Sequence, residues 1–197
     1  SLAFYAYGEP KNIILMIIMI ILHYCFAMMI SWMNQKDNHV VSKILLALIV
    51  CIDICILGYF KYADFLINNV NALFHQNITP LQIALPIGIS FYTFQSLSYV
   101  IDVYRGTVEA QRNPLYVGLY ISLFPQLIAG PIVRYETIEH EIEHRKENIK
   151  AFSIGVNRFI VGLGKKVMLA NQFAIVADAA FNVSSRTVFM AWFGAIA

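Results

Sequence analysis

Apolar residues occur along this chain in long, almost unbroken runs that are separated by short polar segments. The runs show neither the alternation of a half-exposed strand nor the single apolar stripe of a soluble helix. At about 1.5 Å per residue, several are long enough to reach across the hydrocarbon core of a bilayer. The pattern predicts an all-α fold, a polytopic integral membrane helical bundle. The predicted spans cover residues 13–33, 44–60, 81–103, 115–133 and 152–181, with the start of another at 188.

Proline and glycine interrupt the third and fourth of these spans. Pro86 and Gly88 lie early in the third, and Pro125 and the Gly130-Pro131 pair lie in the fourth. Because proline removes a backbone donor and clashes with the preceding turn, both spans are predicted to kink or break. Non-helical backbone at membrane depth survives only where it is buried in protein or lines a cavity. Two neighbouring broken helices inside the bundle are therefore expected.

Two sequences that combine a polar residue with proline predict where these spans begin. Thr79, Pro80 and Gln82 match an N-cap, a first helical position and the glutamine of a capping box. Asn113 precedes Pro114 in a similar arrangement. The third helix is therefore predicted to start near residue 81 and the fourth near residue 115.

Polar groups inside the predicted spans need partners that lipid does not supply. His23 in the first span is interpreted as a neutral side chain bonded to a neighbouring helix. Asp53 in the second must be paired or protonated, and must face the bundle interior or a cavity. For Asp53 two interpretations stay open, a structural hydrogen bond and a functional polar pathway.

Composition and motifs restrict the chemistry further. Of the 197 residues, 59% are hydrophobic and 13% are charged, and the formal net charge is only +2. No basic stripe indicates a nucleic-acid partner. The segment from His140 to His144 matches H-E-x-x-H, but it is heavily charged and no histidine follows it to complete a zinc site. A solvated helix is the favoured interpretation, and neither a metal nor a bound cofactor is predicted.

Four segments resemble the membrane-bound O-acyltransferase family, in its bacterial alginate O-acetyltransferase-like branch. They are GYFKY (58–62), LPIGISFYTFQSLSYVIDVYRG (85–106), LFPQLIAGPIVRY (123–135) and GVNRFIVGLGKKVMLAN (155–171). The resemblance implies that residues 1–197 form a single membrane domain, the N-terminal and central part of a larger acyltransferase whose two ends are missing here. It also places the family's essential histidine downstream of Trp192. None of the five histidines here occupies that position, so the catalytic residue is expected outside this chain.

The resemblance implies an enzyme that moves an acyl group, expected to be acetyl, through a tunnel across the membrane. The donor would be a cytoplasmic thioester, an acyl-CoA or an acyl carrier, and the acceptor the hydroxyls of an exported polysaccharide such as alginate or another cell-surface polymer. Polarity and location nominate the residues expected at the tunnel wall: Tyr92, Gln95, Ser96, Gln126, Gly130, Pro131 and Arg134.

The same resemblance implies a multi-pass protein of the bacterial cytoplasmic (inner) membrane. Its expected partners are the lipid bilayer, the acyl donor and an extracytoplasmic acyltransferase-like or esterase-like protein. Two alternatives come from the polar residues themselves. A transporter or channel would use Asp53 and the broken helices as a substrate path, and a non-catalytic membrane scaffold would need neither.

Overall fold

The structure, a computed structural model, describes residues 2–127, 133–145, 147–182 and 187–196, and every regular element in them is a helix. The chain divides into two compact units, residues 1–144 and 145–197. The helices are α1 (Leu2–Gly8), α2 (Ile13–Gln35), α3 (His39–Leu57), α4 (Ala63–Phe74), α5 (Ile89–Arg105), α6 (Pro114–Ser122), α7 (Phe124–Leu127), α8 (Tyr135–Glu143), α9 (Ile149–Lys165), α10 (Asn171–Phe181) and α11 (Val188–Ile196). The predicted all-α class is confirmed, whereas the single domain over 1–197 stays a prediction.

The first unit is built around α2, which packs against α3, α5 and α6. At 23 residues, α2 is long enough to cross a bilayer, and one face of it is buried by the neighbouring helices. The other face carries exposed Ile and Met side chains, as expected for contact with lipid. The buried face of α2 consists of Met16, Met19, Ile20, His23, Ala27 and Ile30.

The second helix extends well beyond its predicted end at residue 60. It continues from α3 through one π-helical turn, Gly58–Tyr62, directly into α4, so that His39–Phe74 is a single run of 36 residues. Gly58 keeps right-handed helical dihedrals, and the next residue along the chain with a positive φ is His75, at φ 51°. Apolar residues recur at helical spacing up to Phe74, and this pattern favours continuation of the helix past Gly58.

The third helix starts later than predicted, and the expected capping box at residues 79–82 is wrong. α5 begins at Ile89, and residues 76–86 have no helical structure. The Asp64 carboxylate of α4 accepts the backbone N–H of Leu81 at 2.7 Å and that of Gln82 at 3.1 Å. Backbone donors that a capping box would have used are therefore bonded to a side chain from another helix, and Gln82 takes φ 49°.

A second side chain of α4 holds the same non-helical segment. The Asn71 amide donates to the Ile78 carbonyl at 2.8 Å and accepts the Ile78 N–H at 2.9 Å. The Asn71 side chain thus bonds both the backbone N–H and the backbone C=O of Ile78, which have no partner in a helix or sheet. The extended path of the chain before α5 is thus fixed by α4.

The start of α6 agrees with the sequence, and its end shows the predicted break. The Asn113 side chain accepts the N–H of Leu115 at 3.0 Å, and Pro114 is the first helical residue. α6 ends at Ser122, because Leu123 is extended with φ −64° and ψ 107°. The short α7 then carries Pro125 in its first turn, where a missing N–H is tolerated.

The second unit contains a long helical run and a short helix that returns along it. α9 continues through a π-helical turn, Lys166–Ala170, into α10, giving a run from Ile149 to Phe181 of 33 residues. α11 packs against α10, and a Cβ on Gly194 would lie 2.8 Å from the Cβ of Ala180. Glycine at this position therefore permits the close approach of the two helices.

Candidate functional site

The site is centred on one face of α5. Tyr92, Gln95, Ser96 and Tyr99 are spaced as i, i+3, i+4 and i+7, so they lie on the same side of the helix. All four are buried in the described structure. This spacing was visible in the sequence and links three of the predicted tunnel residues with Tyr99, which was not among them.

Gln95 connects the two broken helices. Its amide nitrogen donates to the backbone carbonyl of Tyr120 at 2.7 Å and to the side-chain oxygen of Gln126 at 3.2 Å. Since α6 ends at Ser122, the carbonyl of Tyr120 is one of those that a helix end leaves without a helical partner. A side chain of α5 therefore supplies a bond that the break in the fourth predicted span removed.

The two breaks also meet through their backbones. Gly88, the residue before α5, has φ +75°, a left-handed conformation that glycine adopts without strain. A Cβ there would lie 2.8 Å from the backbone oxygen of Leu127, the last residue of α7. On the other side of the break, the Tyr5 hydroxyl donates to the Ile87 carbonyl at 3.0 Å. The backbone at Gly88, just before α5, thus packs closely against that of Leu127 in α7.

Three buried tyrosines extend this contact towards α8. The rings of Tyr99, Tyr120 and Tyr135 form edge-to-face pairs with centroid distances of 4.9, 5.2 and 6.4 Å. The Tyr120 hydroxyl donates to the Val133 carbonyl at 2.8 Å, and the backbone N–H of Gln111 donates to the Tyr99 hydroxyl at 2.9 Å. Sequence reasoning missed this tyrosine cluster, because tyrosine in an apolar run also fits a membrane interface.

The predicted tunnel residues do not all share one environment. Ser96 donates to the Tyr92 carbonyl of its own helix at 2.6 Å, a bond that needs no other element. Gln126 is partly exposed, and Arg134 is exposed immediately before α8. The predictions for Gly130 and Pro131 lie outside the described residues. A role of these positions at a tunnel wall stays a prediction.

An open, mainly apolar groove of about 490 Å³ lies beside α6. It is lined by Gly118 and Ser122 of α6, by Ile17 and Ile20 of α2 and by Leu2 of α1, among others. Its lining suits a hydrocarbon chain better than a polar substrate, because apolar surface dominates.

The predicted intramembrane polar residue, Asp53, is paired. Its Oδ2 lies 3.0 Å from Nε2 of His23, and the two side chains are 2% and 0% exposed. Nδ1 of the same histidine lies 2.8 Å from the carbonyl oxygen of Met19. The sequence predicted that each residue would find a partner, and the structure brings them together between α2 and α3.

The H-E-x-x-H segment, residues 140–144, covers the last four residues of α8 and the residue that follows it. The rings of His140 and His144 lie 5.5 Å apart. Within the residues that the structure describes, no group of three or more His, Cys, Asp and Glu side chains could hold a metal ion.

Comparison with curated proteins finds relatives along the whole chain. It is 38% identical over 201 residues to the "Probable alginate O-acetylase AlgI" of Pseudomonas syringae pv. tomato, covering 100% of this chain and 38% of that protein. The protein of the same name from Pseudomonas aeruginosa is 36% identical over 201 residues, with the same coverage. This similarity to alginate O-acetylases supports the resemblance of the chain to the membrane-bound O-acyltransferase family. The match to the "Peptidoglycan O-acetyltransferase" of Helicobacter pylori, 30% identical over 220 residues, covers 98% of this chain and 41% of that protein.

The length and hydropathy of its helices identify the chain as a membrane protein. Three of its helical runs are long and apolar enough to cross a bilayer: Ile13–Gln35, His39–Phe74 and Ile149–Phe181. The chain spans about two fifths of the length of the curated relatives it matches. No family model matches it, and no solved structure does.

Proposed function

We propose that this chain is part of a membrane-embedded O-acetyltransferase that acetylates hydroxyls of an exported polysaccharide. The observation that carries the proposal is the 38% identity to an alginate O-acetylase over the whole of this chain. The peptidoglycan O-acetyltransferase among the relatives supports the same reaction type on a different polymer. Acetyl transfer to a carbohydrate hydroxyl is what the two names share.

The proposed reaction is attack of an acceptor hydroxyl on the carbonyl carbon of an acyl thioester. A general base removes the hydroxyl proton as the new C–O bond forms. The C–S bond then breaks, and the thiol leaves with the proton that the base took up. The base is proposed to be a histidine outside the 197 residues, and the thioester is proposed to reach it from the cytoplasmic side.

The role proposed for this chain is to form the wall along which the two substrates approach. Gln95 and Gln126 lie where the two broken helices meet, and their remaining hydrogen-bonding groups suit the hydroxyls and carbonyl of the substrates. Irregular backbone from both helices lies at this place, and such backbone is tolerated at membrane depth where it is buried in protein or lines a cavity. Arg134, exposed at the start of α8, offers a cation to an anionic donor or polymer.

The apolar groove beside α6 supports a related proposal. Its Gly118 and Ser122 lie on the helix that ends next to Gln95. We propose that the groove holds lipid or the hydrocarbon part of a carrier close to the site. The protein is proposed to cross the bacterial cytoplasmic membrane several times and to work with an extracytoplasmic acyltransferase-like or esterase-like partner.

The test is the acetyl ester content of the cell-surface polymer. We expect deletion of the gene to remove most of the O-acetyl ester, and the restored gene to return it. The polymer itself should still be made, because acetylation follows its synthesis. An unchanged ester content in a strain shown to make the protein would overturn the proposed function.

A further inference from the structure

The buried pair of His23 and Asp53 has a protonation state that its geometry dictates. His23 lies near the middle of α2, about 15 Å along the helix from Ile13 at 1.5 Å per residue. Asp53 faces it from α3, and both side chains are closed off from solvent. Solvent therefore does not reach the pair. The number of protons on its two side chains is inferred from their hydrogen-bond contacts.

The contacts of the imidazole fix one proton. Nδ1 lies 2.8 Å from the Met19 carbonyl oxygen, which can only accept a hydrogen bond, so Nδ1 carries a hydrogen. Nε2 lies 3.0 Å from Oδ2 of Asp53. If Nε2 and the carboxylate were both without a proton, two lone pairs would face each other at that distance. A second proton therefore lies between Nε2 and Oδ2.

This count makes the pair neutral wherever the second proton sits. An imidazolium with a carboxylate and a neutral imidazole with a carboxylic acid have the same net charge of zero. Both avoid an isolated charge inside the membrane, which is the costly state. The second oxygen of the carboxylate, Oδ1, is buried and has no hydrogen-bond partner among the described residues, as a carboxylic acid tolerates better than a carboxylate.

The position of the pair gives it a consequence for the site. α5 packs against both α2 and α3, the two helices that the pair joins. α5 also carries Gln95, which holds the ends of α6 and α7. A change in the spacing of α2 and α3 would therefore move the surface on which α5 rests.

We propose that His23 and Asp53 share one proton and form a neutral lock between α2 and α3 that positions α5. They are positioning residues, with no contact to the reacting atoms and no part in a proton path. The lock itself is independent of the proposed function. Only its expected effect on acetyl transfer rests on that function.

Four substitutions in the full-length protein test the lock in native membranes. His23→Leu leaves an unpaired carboxyl group, and Asp53→Leu leaves Nε2 without a partner. Each single change should lower the amount of folded protein in the membrane about tenfold or more. Removing one member of a buried pair destabilises a protein much more than replacing both members by apolar residues. The double change His23→Leu with Asp53→Leu should recover most of it. Ile54→Leu, on the exposed side of α3, is the matched control and should have no effect.

Asp53→Asn separates a lock from a proton path. The asparagine amide can donate to Nε2 while Nδ1 keeps its hydrogen, so the lock survives without a proton that can move. We expect folded protein and acetyl ester content within about twofold of the unchanged protein. Normal folding with ester lost would overturn the positioning role and indicate a proton path.

Nitrogen-15 NMR of labelled histidine in the membrane-embedded protein tests the proton count directly. The His23 signals are assigned by their loss in the double variant His23→Leu with Asp53→Leu, which is expected to keep most of the folded protein. We expect a hydrogen on Nδ1, and an Nε2 signal that shifts in Asp53→Asn. A histidine without a hydrogen on Nδ1 would overturn the proposal. This readout, like the amount of folded protein, stands even if deletion of the gene leaves the polymer's ester unchanged.

Discussion

Two regions of the first unit solve the problem of helix contact inside a membrane in different ways. α2 and α3 are long, mostly apolar helices joined by one buried polar pair, His23 with Asp53. α5, α6 and α7 are shorter, and their breaks are bridged by Gln95, by Gly88 and by the tyrosine cluster. Where helices are continuous, their backbone is satisfied internally and one polar contact is enough. Where they break, side chains must replace the missing backbone bonds.

The difference matters for function. In the pair of His23 and Asp53, Nε2 and Oδ2 contact each other, and Oδ1 of Asp53 is left without a partner among the described residues. The network at the breaks has polar groups left over, because an amide offers more donors and acceptors than a single carbonyl uses. The remaining amide groups of Gln95 and Gln126 support the proposal that substrate groups bind where the two helices break.

The largest effect is expected from closing the space between the two breaks. Gly88→Ala adds left-handed strain and places a Cβ 2.8 Å from the Leu127 oxygen. Together these should cost about 3 kcal/mol of unfolding free energy. Gly106→Ala is the control, because Gly106 has a similar φ of +73° with nothing near the added Cβ, and it should cost only about 1 kcal/mol. The free energy of unfolding of both variants is measured in detergent micelles. Equal losses for Gly88→Ala and Gly106→Ala would show that the two breaks are not in contact.

A smaller effect is expected from removing the amide that bridges the breaks. Gln95→Leu keeps the apolar stem but leaves the Tyr120 carbonyl without its donor, which should cost about 2 kcal/mol. Phe94→Leu, on the exposed side of α5, should change the free energy of unfolding by less than about 0.5 kcal/mol. If the two variants unfold alike, the bond from Gln95 contributes nothing measurable to the contact between α5 and α6.

The smallest effect is expected at the edge of the tyrosine cluster. Tyr120→Phe keeps the ring contacts and removes only the hydroxyl that bonds the Val133 carbonyl, at a cost of about 1 kcal/mol. Tyr116→Phe serves as the comparison, because Tyr116 is on the same helix and outside the cluster. Denaturant midpoints of the two variants provide the measurement. A shift for Tyr116→Phe as large as that for Tyr120→Phe would contradict the assigned bond.

The sequence predicted α2 more closely than α5, for a physical reason. Long apolar runs determine that a helix forms, so α2 starts at Ile13 as predicted and ends two residues beyond the predicted limit. The capping pattern at Thr79 and Gln82 is a local signal. The Asp64 carboxylate of another helix binds the backbone N–H groups there instead. A competition between a local cap and a distant side chain depends on tertiary contacts that a linear pattern does not contain.

The candidate site shows the same division. The sequence indicated that Asp53 and His23 each need a partner, since lipid supplies none, but only the packing of α2 on α3 pairs them. Gln95 was found from its polarity, whereas its bond to Tyr120 depends on where α6 ends. The tyrosine cluster was missed because burial distinguishes it from tyrosines at a membrane interface, and burial is a property of the fold.

The central claim is that the junction of the two broken helices borders a substrate passage, and cysteine labelling tests it most directly. In full-length protein with Cys25, Cys51 and Cys55 replaced by alanine, Gln126→Cys is treated with a water-soluble maleimide, and Ile54→Cys on the exposed face of α3 is the control. We predict that Gln126→Cys is labelled, that an acyl thioester donor slows its labelling, and that Ile54→Cys stays unlabelled in the bilayer. A Gln126→Cys thiol that is unreactive, or that reacts at the same rate with and without the donor, would contradict the account.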